Sequence, residues 1–185
     1  MKKILCFLLV FAFGLSGCEK DDICDANTPT TPRLVLAFYD AKPPGLPRNV
    51  VNLKVIGKDQ ENGIIFNKSG SEITKYLTNA NTVSIPLRTD VDSATFTFIY
   101  DSGNPNPAAI NEDVITFDYT RQNLYVSRAC GFKTIFTLNP TVTSPPLSSP
   151  FKQTDPKGDG LWMQRLIVEK YNIDNENETH IKVYF

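Results

Sequence analysis

The chain has 185 residues, 41% of them hydrophobic and 21% charged, with 19 basic against 20 acidic side chains and a net charge of −1. This balance, without a basic stripe or a run of like charge, excludes an electrostatic nucleic-acid binder. The length is enough for one sizeable core and suits a single folded domain.

The first element is a leader. Lys2 and Lys3 precede an apolar run from Ile4 to Phe13 that only Cys6 interrupts, which is a signal-peptide layout. At about 1.5 Å per residue such a run reaches roughly half of the ~30 Å of a hydrocarbon core, so it cannot serve as a spanning anchor. Leu15-Ser16-Gly17-Cys18 follows directly and resembles the lipobox of bacterial lipoproteins. That resemblance implies diacylglycerol on the Cys18 thiol and cleavage of residues 1–17, leaving Cys18 as the first residue of the mature chain. One acyl chain holds only marginally, but two or three anchor firmly. Glu19-Lys20-Asp21-Asp22 resembles the Lys followed by two acids that directs some Bacteroidetes lipoproteins to the cell surface. The implied address is the outer membrane, lipid-anchored, with display outside the cell. Residues 18–33, including Thr28-Pro29-Thr30-Thr31-Pro32, read as a lipidated tether.

From residue 34 the period is two. Leu34-Leu36-Phe38, Val51-Leu53-Val55, Val83-Ile85-Leu87, Phe96-Phe98-Tyr100, Ile115-Phe117-Tyr119, Leu124-Val126, Phe132-Thr134-Phe136-Leu138, Leu166-Val168 and Ile181-Val183-Phe185 alternate with other side chains. Such alternation puts one set on a core face and the other on a solvent face. No stretch sustains a helical stripe. Ser69 with Glu72 has the spacing of a capping box, yet Ile73 to Leu77 allows only one or two turns. Hairpins are expected over Ile115–Val126, turning at Thr120-Arg121-Gln122-Asn123, and over Leu161–Phe185, turning at Asn172–Glu178. The expected fold is an all-β, antiparallel, immunoglobulin-like β-sandwich of seven to nine strands over residues 34–185, with a small β-barrel as second choice. The alternating strand that ends at Phe185 mimics the closing signal of outer-membrane barrels. The strands are too short and too charged for a spanning barrel.

Removing Cys6 with the leader and assigning Cys18 to lipid leaves Cys24 and Cys130. An even remainder in an exported chain favours a disulfide over two buried thiols. A metal site is disfavoured because there is no CxxC pair or Cys/His cluster. The lipobox, Cys24, residues 31–40 (Thr-Pro-Arg-Leu-Val-Leu-Ala-Phe-Tyr-Asp), Tyr125 to Lys133 and Asn175 to Phe185 together resemble a family of Bacteroidetes lipoproteins of unknown function. The resemblance implies a paired Cys24 and Cys130 and brings no activity with it.

Candidate chemistry is thin. His180, the one histidine, lies in the final strand without a nucleophile motif beside it and reads as an ordinary strand side chain. Asp118, Glu112 with Asp113, Asp155 with Asp159, and Glu169 are the acids from which a glycoside-acting hydrolase would draw its two, but turns and strand ends favour the same residues. Asn172–Glu178 and Asp155–Gly160 are oxygen-rich loops that a calcium ion could use, although neither has EF-hand spacing. Trp162, Tyr171 and Tyr184, with Tyr125, are candidates for a sugar-stacking platform, against the alternative that Trp162 plugs the core. The expectation is therefore a lipoprotein with a non-catalytic binding or scaffolding domain, no cofactor and no catalytic residues. Its partners would be the membrane through Cys18 and an envelope protein or a glycan.

Overall fold

The computed structural model describes residues 23–25, 28, 30–42, 45–139 and 149–185. Cys6, Cys18 and Glu19 to Asp22 lie outside them. Eleven strands are formed among the described residues: β1 (Leu34–Tyr39), β2 (Leu53–Gly57), β3 (Leu77–Thr78), β4 (Thr82–Ile85), β5 (Ser93–Tyr100), β6 (Asn111–Ser127), β7 (Gly131–Leu138), β8 (Phe151–Thr154), β9 (Arg165–Val168), β10 (Asn172–Ile173) and β11 (Ile181–Tyr184).

They make two sheets. One has the order β4-β1-β11-β9, the other β10-β7-β6-β5-β2-β3, with β8 also pairing to β6. The molecule is an all-β sandwich, as the alternation predicts. Two to four strands more than expected are found, because β3, β8 and β10 are two to four residues long and carry no alternating signature. Pairing is antiparallel except between β1 and β11, which run parallel with Leu36 opposite Ile181 and Phe38 opposite Val183.

The period-two reading places the core. In β5 and β6 the buried positions Ala94, Phe96, Phe98, Asp113, Ile115, Phe117 and Tyr119 alternate with half-buried ones. Leu34, Leu36 and Phe38 face them from β1, and all three are fully buried. Trp162 enters from the segment before β9. Its ring lies 6.2 Å from Phe38, 5.2 Å from Tyr100 and 5.6 Å from Phe185, and its Nε1–H donates to the Phe98 carbonyl at 3.2 Å.

Three local expectations change. The segment Thr120 to Asn123 is not a turn: β6 runs straight through it, and the hairpin closes instead between Ser127 and Gly131. Alternation stops at Thr120 because the next four side chains are all exposed, and exposure, not chain reversal, is what those polar residues record. Gly131 supplies the positive φ, 69°, that the true turn needs. In the C-terminal pair, β9 and β11 are antiparallel as expected, but their connection spans residues 169–180 and sends β10 across to β7 in the other sheet. The short helix is a 3-10 turn, Thr74–Tyr76. Its N-cap is Ile73, without a side-chain cap, so neither Ser69 nor a capping box starts it. Ser71 and Thr74 exchange hydrogen bonds beside it, while Glu72 pairs with Lys75 at 2.6 Å.

The far half of β6 leaves the sandwich. β5 accompanies it from Asn111 to Asp118 and β8 from Val114 to Phe117, after which β7 alone remains. Past the Asn123–Thr134 pair no residue of the hairpin is buried. At about 3.4 Å per residue this free ribbon projects roughly 14 Å beyond the last buried side chain.

Candidate functional site

An open cleft of about 900 Å³ lies at the end of the sandwich from which the ribbon springs. It is formed where β2 ends at Gly57 and where the β4–β5 connection returns through residues 86–92. The β2–β5 ladder runs one step further, with the Lys58 N–H donating to the Thr95 carbonyl at 2.8 Å. This fixes the loop after β2 over the start of β5. The floor is apolar, since Leu87, Ala94 and Phe96 are buried there, and Ile64, Ile65 and Val91 build the walls. Gly57 lies against Phe96, where an added Cβ would meet the ring at 3.7 Å. The volume is in the range of small-molecule pockets.

Charged groups rim it. Arg88 is held by two hydrogen bonds to Asp90, at 3.0 and 2.5 Å, and this pairing pulls the Asp90 carboxyl down to about 2. The Arg88 backbone is fixed from below, because its N–H donates to the buried Tyr119 hydroxyl at 3.1 Å and its carbonyl accepts from it at 3.0 Å. Burial pushes that phenol up to about 12. Lys58 also stands on the rim, and among the described residues its ammonium has no ion-pair partner. The cleft therefore offers an apolar floor beside a rim of mixed charge: the Lys58 ammonium, the Asp59 carboxylate and the Arg88 guanidinium paired to Asp90. None of these residues stood out in the sequence, because the cleft joins a loop and a connection that are some thirty residues apart in sequence and carry no motif.

The residues that did stand out are distributed elsewhere. Trp162 is in the core, so it offers no stacking face to a ligand. Tyr184 lies on the outer face of the four-stranded sheet, covered by the Arg165 guanidinium at 4.2 Å and by the Tyr39 ring at 5.6 Å. Tyr171 is half-exposed between β9 and β10, and Tyr125 is on the ribbon. A platform of Trp162, Tyr171 and Tyr184 is thus not assembled: the segment before β9 turns Trp162 into the core, and the alternation of β11 puts Tyr184 on the opposite face.

The acids have local work. Asp113 is fully buried, and its Oδ2 accepts from the Met163 N–H at 2.9 Å and from Gln153 at 3.0 Å. Desolvation raises its carboxyl above the ordinary range, and among the described residues Oδ1 has no partner. Glu112 pairs with Lys157 at 2.9 Å and Glu169 with Lys182 at 3.3 Å. Asp155 folds its own loop, accepting from the N–H groups of Lys157, Gly158 and Gly160, which lowers its carboxyl. The Asn172–Glu178 loop is likewise internally bonded: Asn175 donates to Asp174 and Glu178, and Glu176 holds Arg33. Among the described residues no three His, Cys, Asp or Glu side chains are grouped to hold a metal. His180 is fully buried, its Nδ1 accepting from the Val35 N–H at 2.9 Å. Desolvation lowers its pKa, and among the described residues Nε2 has no partner.

Cys24 and Cys130 are joined in a disulfide with Cα atoms 4.9 Å apart, closing 106 residues. Thr28, Thr31 and Arg33 mark a path along the outer edge of β7 toward it. Arg33 binds Glu176 at 2.7 Å, Thr31 accepts from the Thr134 N–H at 3.0 Å, and Thr28 lies 3.7 Å from the Cys130 sulfur. The described end of the expected tether, Thr28 and residues 30–33, is thus laid along the ribbon, where it covers part of an open strand edge.

These features define a disulfide-stapled β-sandwich with an open cleft of mixed-charge rim and a projecting two-stranded ribbon. Residues 52–185 match a family of unknown function, DUF6452, and the chain belongs to that family. No curated protein and no solved structure matches it.

Proposed function

We propose that this protein is a lipid-anchored protein of the cell envelope whose sandwich binds or scaffolds and does not catalyse. The observation that carries the reading is the Cys24–Cys130 disulfide. Disulfides persist in oxidising compartments outside the cytosol, and this one lies six residues beyond the cysteine of the lipobox-like Leu15-Ser16-Gly17-Cys18. Cys18 carries the lipid in this reading, and Glu19-Lys20-Asp21-Asp22 takes the protein to the outer surface of the outer membrane. The cleft supports a binding role, since its floor is apolar and its rim presents Lys58 and Arg88 without a buried acid or nucleophile aimed into it.

The test has two arms. Intact mass of the membrane fraction is expected to show a chain that begins at Cys18 with acyl additions, and Cys18→Ser is expected to release the protein into the soluble fraction. An unmodified membrane-free wild-type chain overturns the anchor. Cross-linking in intact cells, followed by purification of a version tagged in the exposed 101–106 turn, is expected to recover one stoichiometric envelope protein. Recovery of background alone overturns scaffolding and leaves the cleft as the binding site, to be screened with small ligands and glycans.

A further inference from the structure

Tyr125 and Phe132 stand directly opposite each other on the ribbon, with rings 5.5 Å apart in an edge-to-face pair. They are 60% and 69% exposed, which is unusual for two adjacent aromatic side chains in a fold whose other described phenylalanines are largely covered. Ile23 beside the staple is 82% exposed. All three lie at the same end of the molecule, because the disulfide ties Cys24 to Cys130, two residues from Phe132.

We propose that the ribbon tip is a second membrane contact, in which Tyr125, Phe132 and Ile23 seat in the headgroup region of the bilayer that holds the anchor. This rests on the reading that Cys18 is lipidated. The reach of the chain then commits the occupant. Six residues separate Cys18 from Cys24, which spans at most about 21 Å when fully extended. Without the staple, the anchor would connect through Arg33 to the body of the sandwich, and the ribbon could point anywhere. With it, the chain leaves the domain at the tip, so the lipid surface is always within reach of the two rings. Amphipathic Tyr and apolar Phe are suited to the boundary between headgroups and acyl chains. Charge plays little part in this contact, since its three side chains are aromatic or aliphatic and Arg128 and Lys133 near the tip are offset by Asp25 next to Cys24. The contact therefore does not require anionic lipid.

The experiment uses the full chain, acylated in cells and reconstituted in phosphatidylcholine vesicles, with intact mass measured first. A chain without acyl groups overturns the anchor reading and this inference together. On acylated protein, Phe132→p-benzoylphenylalanine is irradiated and its adducts are identified. Leu161→p-benzoylphenylalanine serves as the control, because Leu161 is half-exposed and follows Gly160, which accepts from Asn111 at the opposite end of β6. Lipid adducts at 132 several-fold above those at 161, unchanged by salt, are the expected result. Reduction of the disulfide is expected to lower the yield at 132 while the protein stays in the membrane. Equal yields at the two positions, or adducts at 132 to protein or glycan alone, overturn the membrane contact while leaving the anchor intact.

Discussion

The two halves of β6 are one strand in two environments. From Asn111 to Tyr119 it lies in the middle of a sheet, with β5 on one side and β7 or β8 on the other, and each inward side chain is buried. From Thr120 to Ser127 it has one partner strand, no sheet above it and no buried residue. Backbone pairing continues through both halves, on one side only and with a register shift between Tyr125 and Ser127 in the second. The difference lies in side-chain burial, and stability follows burial more than it follows hydrogen bonds. A two-stranded ribbon is marginal by itself, so the free half depends on what is attached to it: the disulfide and the segment that runs along β7.

The largest effect that would break this contrast is in the buried half. Phe117→Ala is expected to cost about 3–5 kcal/mol in urea unfolding, from lost burial and the cavity left among Phe96 and its neighbours. The staple comes next. Cys130→Ser is expected to cost about 2–4 kcal/mol by the same measurement, with protease cleavage concentrated in the ribbon and in residues 24–33. An unchanged cleavage pattern would show that the ribbon holds itself.

Buried polar groups give smaller, sign-specific effects. Asp113→Ala leaves the Met163 N–H and the Gln153 amide without their acceptor and is expected to cost about 1–3 kcal/mol. The wild-type carboxyl, raised above 3.8 by desolvation, binds a proton more tightly folded than unfolded. Its stabilising share is therefore full below 3.8 and is lost as pH rises through the folded value. His180 has the opposite sign. Its folded pKa lies below 6.5, so stability is full above 6.5 and is lost as pH falls toward the folded value. Thermal melts from pH 7 downward are expected to show a decline beginning near 6.5 that His180→Gln removes. The smallest effect belongs to the tip: Phe132→Ser is expected to change urea stability by less than about 0.5 kcal/mol, since the ring is exposed. A larger cost would mean that the tip packs on the domain.

Much of the sandwich is legible in the sequence because alternating burial is written residue by residue. Leu34-Leu36-Phe38 and Phe96-Phe98 disclose both their strands and the inward faces of those strands. The signal fails at Thr120 to Asn123, where an exposed ribbon and a turn call for the same polar residues. It fails also for β8 and β10, which owe their existence to partners distant in the chain. The cleft was not legible, because Phe96 reads only as a core residue and Lys58 only as a loop lysine until the β4–β5 connection is brought beside them.

By itself the sequence determined the class of fold, the period of its strands, and the near-neutral charge balance, since composition and alternation are local properties of the chain. Tertiary structure alone decided which end of the domain the N-terminal segment leaves from, where the cleft opens, and that Trp162 faces inward. Each of these depends on pairings between residues far apart in the chain, Cys24 with Cys130 above all, and no local pattern encodes a distance across the fold.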